Sequence, residues 1–405
     1  MTDMHDVVIV GAGPGGSAAA HYLAKHGLDV LLLDKANFPR DKTCGDGLTP
    51  RALDILDDMG LLNELLRTGC RINGMEIVAP RGHSIAAPLP KEGGWPDYAL
   101  VIPRLILDNA IRERAVASGA TFRSPVRVID IARDAEGVVV AGEQRGQSVT
   151  FRGRVAIAAT GASVKLLLRT GVLKRMPPMA LAARAYYEGV TDLTDRVHLR
   201  FDGVPMPGYG WVFPLSASSA NVGAGLMPLG RLRQWWVRAR RAPFDSFVQH
   251  PPIQAMLASA RRAGPVKGFP LRMDFASAPT VGERLLLVGE AAGLVNPLTG
   301  EGIDYALESG RLAAEHLVRM FAAGDFSRTS FAAYDQLLRR RFQRLFAFCG
   351  RVQLLAGSPF ALNRAVSAAA RHPELKMLLI NIGLGNQEAP KGISLQTILK
   401  VVAGV

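Results

Sequence analysis

The segment Asp6–Lys35, DVVIVGAGPGGSAAAHYLAKHGLDVLLLDK, leaves the chain little freedom in how to begin folding. Val7 to Val10 are uninterrupted apolar residues, the pattern of a strand buried on both faces. Gly11, Gly13 and Gly16 follow at G-x-G-x-x-G spacing, Ser17 to His26 read as a helix, and Gly27 is placed to stop it. Asp29 to Leu33 give a second buried strand with Asp34 at its carboxyl end. Each residue type has a physical role in a βαβ unit that takes a dinucleotide. Gly11 makes the tight turn, Gly13 lets a pyrophosphate approach the backbone, and Gly16 lets helix pack on strand. The helix N-terminus, opened by Pro14, stabilises the phosphate charge. Asp34, followed by Lys35, is placed to bond a ribose hydroxyl. The alternative, a plain βαβ unit with a Gly-rich turn, requires strand, glycines, helix, strand and acid to fall in this order without a ligand.

A chain of 405 residues suggests two or three domains, or one large interleaved one. Cys44, Cys70 and Cys349 show no metal spacing and fit a reducing compartment. The acidic start MTDMHD runs straight into the first strand, so the expectation is no signal peptide and a cytoplasmic location. No apolar run is long enough to span a bilayer. The formal net charge of +13 favours anionic partners: lipid headgroups, nucleic acid or phosphorylated substrates. The basic residues are not interleaved with aromatics in a nucleic-acid motif, so no nucleic-acid partner is expected.

Farther along, KANFPRDKTCGDGLTPRAL is a loop leading into a helix from about Arg51, and it carries Arg40, Cys44 and Gly45. Loops at the carboxyl ends of parallel strands carry function. Residues 71–98, with four prolines, read as short strands and turns. PRLILDNAIRERAVASGA is an amphipathic helix with Leu105, Leu107, Ala110, Ile111 and Ala115 on its apolar side. Val126–Ile131 and Gly137–Val140 suggest a hairpin that includes Val128, and Val155–Ala159 a buried strand entering the turn at Thr160-Gly161. Residues 179–275 hold short strand-like runs, among them PGYGWVFPLSASSANVGAGL. Leu285–Val288 then repeats the opening pattern, followed by GEAAGLVNPLTGEGIDYALESG, a glycine turn, a loop and a helix.

That second turn decides the cofactor. A chain that opens with G-x-G-x-x-G and closes with apolar strand, Gly, acid, Ala-Ala-Gly and Pro resembles the FAD enzymes typified by aromatic hydroxylases. The resemblance implies that the late acid, here Glu290 where the family usually has Asp, binds the ribitol chain. It also implies that the following helix points its positive end at the flavin pyrimidine ring. FPRDKTCGDGLTPRAL, PGYGWVFP with NVG after it, and GEAAGLVNPLTGEGIDYALESG together resemble the geranylgeranyl reductase family, in look nearest to bacterial menaquinone reductases. Flavin halogenases share the fold but carry W-x-W-x-I-P. Thr160-Gly161 departs from the Asp-Gly of the aromatic hydroxylases.

The implied fold is α/β with two domains. An FAD-binding Rossmann-type domain (1–70, 99–175 and 276–326) is interleaved with an antiparallel-sheet substrate domain (71–98 and 176–275), and 327–405 form a helical, basic C-terminal region. By resemblance, Gly11, Gly13, Pro14, Gly16, Asp34, Lys35, Arg40, Cys44, Gly45, Arg104, Val128, Gly289, Glu290, Pro297, Gly300, Gly302 and Ile303 hold FAD. Tyr209, Trp211, Phe213 and Pro214 line the substrate cavity. Cys44 delivers a proton or shapes the pocket, against the alternative of a buried structural thiol. Tyr209 and Trp211 fall on one face of a strand, which on spacing alone is better explained by core packing; the resemblance makes them cavity wall and catalytic.

The implied activity is saturation of an isoprenoid C=C bond with reduced FAD. NADPH or another reductant supplies the electrons, and no second nicotinamide fingerprint decides which. Two alternatives stay open: an FAD monooxygenase of isoprenoid or polycyclic substrates, and a non-enzymatic prenyl-lipid binder. From Arg339 to Val405 there are ten Lys and Arg against two Glu, with Leu338, Phe342, Leu345, Cys349 and Val352 at helical spacing. Such a helix lies on the inner, anionic face of a membrane, or packs on the core with a solvated basic face. The oligomeric state is not legible.

Overall fold

The computed structural model describes residues 4–91, 94–227 and 242–385. The first strand, Met4–Val10, lies between Val30–Leu33 and Gln147–Ala158, parallel to both. Thr121–Arg123 and Leu285–Leu287 extend this sheet on either side, also in parallel. Val7, Val8 and Ile9 are fully buried, as a centre strand covered on both faces requires. The helix that follows begins at Pro14, earlier than the expected Ser17, because a proline at the first turn gives up an N–H that has no helical partner. Turn and helix admit no side chain at two places: a Cβ on Gly16 would overlap the carbonyl oxygen of Gly11, and one on Gly11 that of Ala159.

A second sheet of seven strands stands beside the first. Its order runs Arg261–Arg272, Met179–Glu188, Ser219–Leu226, Gly208–Pro214, Arg196–Arg200, Gly74–Val78, Ser84–Pro88. All its pairs are antiparallel except Arg196–Arg200 with Gly74–Val78. Two strands from the first quarter of the chain thus complete a sheet built mainly from its middle. A small sheet of Gly47–Leu48, Ala99–Val101 and Cys70–Ile72 is the third. The 179–275 stretch also holds the helices Ala242–Gln249 and Pro251–Met256, where only strands were expected.

One amphipathic reading needs correction, and the structure decides between the two alternatives of another. In the helix Arg104–Ala117, Leu107, Ala110, Ile111 and Ala115 are buried, but Leu105 is exposed, and the inward face also carries Arg104 and Asp108. In Arg328–Ala356 the stripe of Leu338, Phe342, Leu345, Cys349 and Val352 is buried in the protein, so it does not lie on a membrane. Arg339, next to that stripe in sequence, turns inward: its guanidinium donates to the carbonyl oxygens of Phe275 and Ala278. Arg341 pairs with Glu308. The rest of the basic region, 386–405, lies outside the described residues. Among the described residues no single helix is long and apolar enough to cross a membrane.

Candidate active site

A cleft of about 940 Å³ opens along the carboxyl ends of the parallel strands and is walled on its far side by the seven-stranded sheet. Gly11, Gly13, Pro14, Asp34, Lys35, Arg40, Cys44, Gly45, Arg104 and Val128 line one end. Gly289, Glu290, Gly300, Gly302 and Ile303 line the middle, and Tyr209, Trp211 and Phe213 the far wall. Three expected residues do not line it. Gly16 is spent on packing against Gly11. Pro297 is buried in the loop before the Ile303–Ala323 helix. Pro214 falls on the opposite face of its strand from Tyr209, Trp211 and Phe213, because side chains alternate.

At the nucleotide end the charges are arranged around one carboxylate. Asp108, fully buried, takes a two-point contact from Arg104 (2.6 and 2.9 Å) and an ion pair with Arg40 at 3.0 Å. Burial opposes the charge on Arg104, but the Asp108 carboxylate and the neighbouring Cys44 thiol hold its pKa above the ordinary value. Two guanidinium groups share one counter-charge, which leaves one positive charge facing the cleft. Arg40 Nη2 would lie 3.6 Å from a Cβ placed on Gly13. A pyrophosphate against the Gly13 backbone would therefore meet both the helix N-terminus and Arg40. Asp34 accepts from the backbone N–H of Ala12 and of Ala36, each at 2.8 Å, which fixes its carboxylate at the strand end. Glu290 accepts from the Arg272 backbone N–H at 3.0 Å and stands beside Gly161 across the cleft floor. The glycine turn, a carboxylate at the strand end, a cationic pair and a second acid on the floor fit an FAD molecule stretched along the cleft.

The Ile303–Ala323 helix starts at the cleft, with Gly302 as its cap. Asp304 in its first turn is neutralised by Arg51 at 2.8 Å, and Glu301 is pushed well up by burial and by the charge of Asp304. The positive pole of the helix is not cancelled by these acids.

At the far wall, ring centres of Tyr209 and Trp211 are 6.1 Å apart and those of Trp211 and Phe213 6.4 Å. The Tyr209 hydroxyl donates to the carbonyl oxygen of Thr299. The Trp211 ring lies flat against Gly223, where any Cβ would overlap it, and its indole N–H donates to Asn221 Oδ1 at 3.0 Å. The Asn221 amide nitrogen donates to the Cys44 carbonyl oxygen and to Asp46 Oδ2, each at 2.8 Å. The Tyr186 hydroxyl donates to the same Asp46 oxygen at 2.7 Å.

Sequence reasoning missed Asp46, Asn221, Tyr186, Asp108 and Lys42. Asp46 is fully buried, lines the cleft, and among the described residues leaves Oδ1 without a partner. Burial raises its pKa to about 6 against the hydrogen bonds from Tyr186 and Asn221. Its φ of +68° is a conformation that persists where surrounding bonds over-determine it. The available signal was an Asp between two glycines directly after Cys44-Gly45. Lys42 holds its ammonium 3.7 Å from the Phe269 ring centre in the cleft wall, and burial lowers its pKa.

An FAD binding domain model matches residues 4–173. The chain is 34% identical to menaquinone reductase of Mycolicibacterium smegmatis, over 95% of this chain and 92% of that one. The chain belongs to the geranylgeranyl reductase family of FAD-dependent oxidoreductases. It is also 32% identical to digeranylgeranylglycerophospholipid reductase 1 of Methanopyrus kandleri, over 85% of this chain and 88% of that one. In fold it is similar to a geranylgeranyl bacteriochlorophyll reductase-like protein of Thermoplasma acidophilum, with a TM-score of 0.81 at 24% identity, covering 99% and 96% of the two chains.

Proposed function

We propose that this chain is an FAD-dependent reductase that saturates one C=C bond of an isoprenoid chain, with a polyprenyl quinone as the favoured substrate class. The observation that carries this reading is the wall of Tyr209, Trp211 and Phe213, which shares one cleft with the FAD-binding residues and the Cys44–Asp46 loop. The names of the relatives support it. Reduced FAD supplies two electrons and one hydrogen, and the electron donor to it is NADPH or another reductant.

An isolated alkene accepts hydrogen poorly unless its other carbon is protonated, and positive charge then develops in an apolar site. The faces of Tyr209 and Trp211 favour that charge. Asn221 fixes the indole edge, so the ring face rather than its N–H is presented to the substrate. The proton comes from the Cys44–Asp46 loop: the Cys44 thiol, the expected donor, or the Asp46 carboxyl, which holds a proton at mildly acid pH. The side chains exclude water from the reacting carbon and orient the chain along the wall. Under anaerobic conditions, chemically reduced protein should convert a polyprenyl quinone to a product with two more hydrogens while its flavin is reoxidised. A product that forms only with oxygen, and gains an oxygen atom, overturns this reading in favour of a monooxygenase.

A further inference from the structure

A second groove, of about 520 Å³, lies away from the active-site cleft. Arg81 and His83, from the turn between the strands Gly74–Val78 and Ser84–Pro88, line one side. Arg364 and Arg371, from the helix Pro359–Arg371, and His372 line the other. Asn363 Oδ1 accepts from the Arg81 backbone N–H at 2.9 Å and ties the turn to the helix. Among the described residues no carboxylate lines the groove. Like charges gathered without counter-charge repel one another, and an anionic partner removes that penalty.

Beside the groove, the helices Arg328–Ala356 and Pro359–Arg371 meet at a bend of 108°. Leu354 and Phe360 stand at that corner with 65% and 66% of their surface exposed. The Arg364 guanidinium lies 5.8 Å from the Phe360 ring centre, so cation and ring share one face. Behind the corner is an apolar pocket of about 130 Å³, lined by Val352, Leu362, Val366 and Leu379 among others. It shares Leu375 with the basic groove, and Leu199 and Tyr209 with the cleft. Large exposed apolar side chains rimmed by cations, with an apolar pocket behind them, match an interfacial anchor that combines insertion with headgroup attraction.

We propose that this corner docks the protein on an anionic bilayer, with lipid phosphates in the groove and Phe360 and Leu354 in the acyl boundary. Docking then sets the apolar pocket against the lipid that contains the substrate. Only this last consequence rests on the isoprenoid reading; the docking itself does not. Of the buried stripe of the preceding helix only Val352 takes part, through the apolar pocket.

Flotation of the FAD-loaded full chain tests the proposal, with vesicles of phosphatidylcholine alone or mixed with phosphatidylglycerol. Flotation should be at least tenfold greater with the anionic vesicles and should fall with salt. The triple variant Arg81→Gln, Arg364→Gln, Arg371→Gln should lose that tenfold preference. The double variant Leu354→Ser, Phe360→Ser should lose the attachment that survives high salt. Both should turn over detergent-dispersed polyprenyl quinone as the unmodified protein does. Equal flotation with neutral and anionic vesicles overturns the proposal. So does unchanged flotation of the variants, or retention of a structured RNA through the same arginines without flotation. If no form turns over the quinone in detergent while flotation still depends on the groove, the reductase reading fails and the docking stands.

Discussion

The Tyr186 hydroxyl donates to Asp46 Oδ2 at 2.7 Å, joining the seven-stranded sheet to the loop that carries Cys44. If the Asp46 carboxyl supplies the proton, anaerobic turnover should fall as pH rises through about 6. Asp46→Asn should remove that limb of the profile while keeping both hydrogen bonds to the retained oxygen. Stability has the same sign. The folded pKa is raised, so the contribution is present below the ordinary value of 3.8 and lost as pH rises through about 6. Above pH 7 the Asn variant should gain on the order of 3 kcal/mol over the unmodified apoprotein in denaturant titrations. No such gain would mean that the carboxyl ionises freely.

Asp108 offers the opposite case. Its replacement by Ala strands two guanidinium groups in the nucleotide end of the cleft, and breaking a buried pair in this way costs about 3–5 kcal/mol. The apoprotein should melt earlier by the corresponding amount. Excess FAD should narrow the difference, since its pyrophosphate supplies counter-charge to the same arginines. Calorimetry with and without FAD checks both.

Gly13→Val should abolish flavin binding without unfolding the chain. Gly13 has extended backbone, φ −76° and ψ −176°, which any residue adopts, and among the described residues a Cβ there meets only Arg40 Nη2 within 4 Å. The obstruction falls where the pyrophosphate would lie. Purified variant should show native circular dichroism and no flavin absorbance; retained yellow colour would show that the turn binds something else.

Leu in place of Trp211 or Tyr209 should slow substrate reduction at least tenfold and leave FAD bound. Cys44→Ala separates the two donors: a large loss in the rate of flavin reoxidation marks the thiol as the proton source, and a small one marks it as packing. Stopped-flow measurement with pre-reduced protein reads both directly.

The nucleotide end was legible because its instructions are local. Strand, turn, helix and acid lie within thirty residues, and each answers to backbone geometry that sequence reports. Glu290 and the helix after it were legible for the same reason. The Asp46 network was not, since its partners Tyr186 and Asn221 stand 140 and 175 positions away and are joined only by sheet packing. The Arg328–Ala356 helix shows a different limit. Its periodicity gave the apolar stripe correctly but not what covers it, and charge alone could not tell that Arg339 caps two inward carbonyls. Pro214 was placed with its neighbours by motif, where strand alternation put it on the other face.

The stretch from Arg40 to Asp46 touches both halves of the molecule along its length. Arg40 and Cys44 meet the Asp108–Arg104 pair, Asp41 takes Arg184 and Lys267, and Cys44 and Asp46 take Asn221. It works as a seam: neither half can loosen without pulling stitches from the other. Heating should therefore open the nucleotide sheet and the seven-stranded sheet in a single cooperative step, and neither sheet should survive when expressed as a separate fragment.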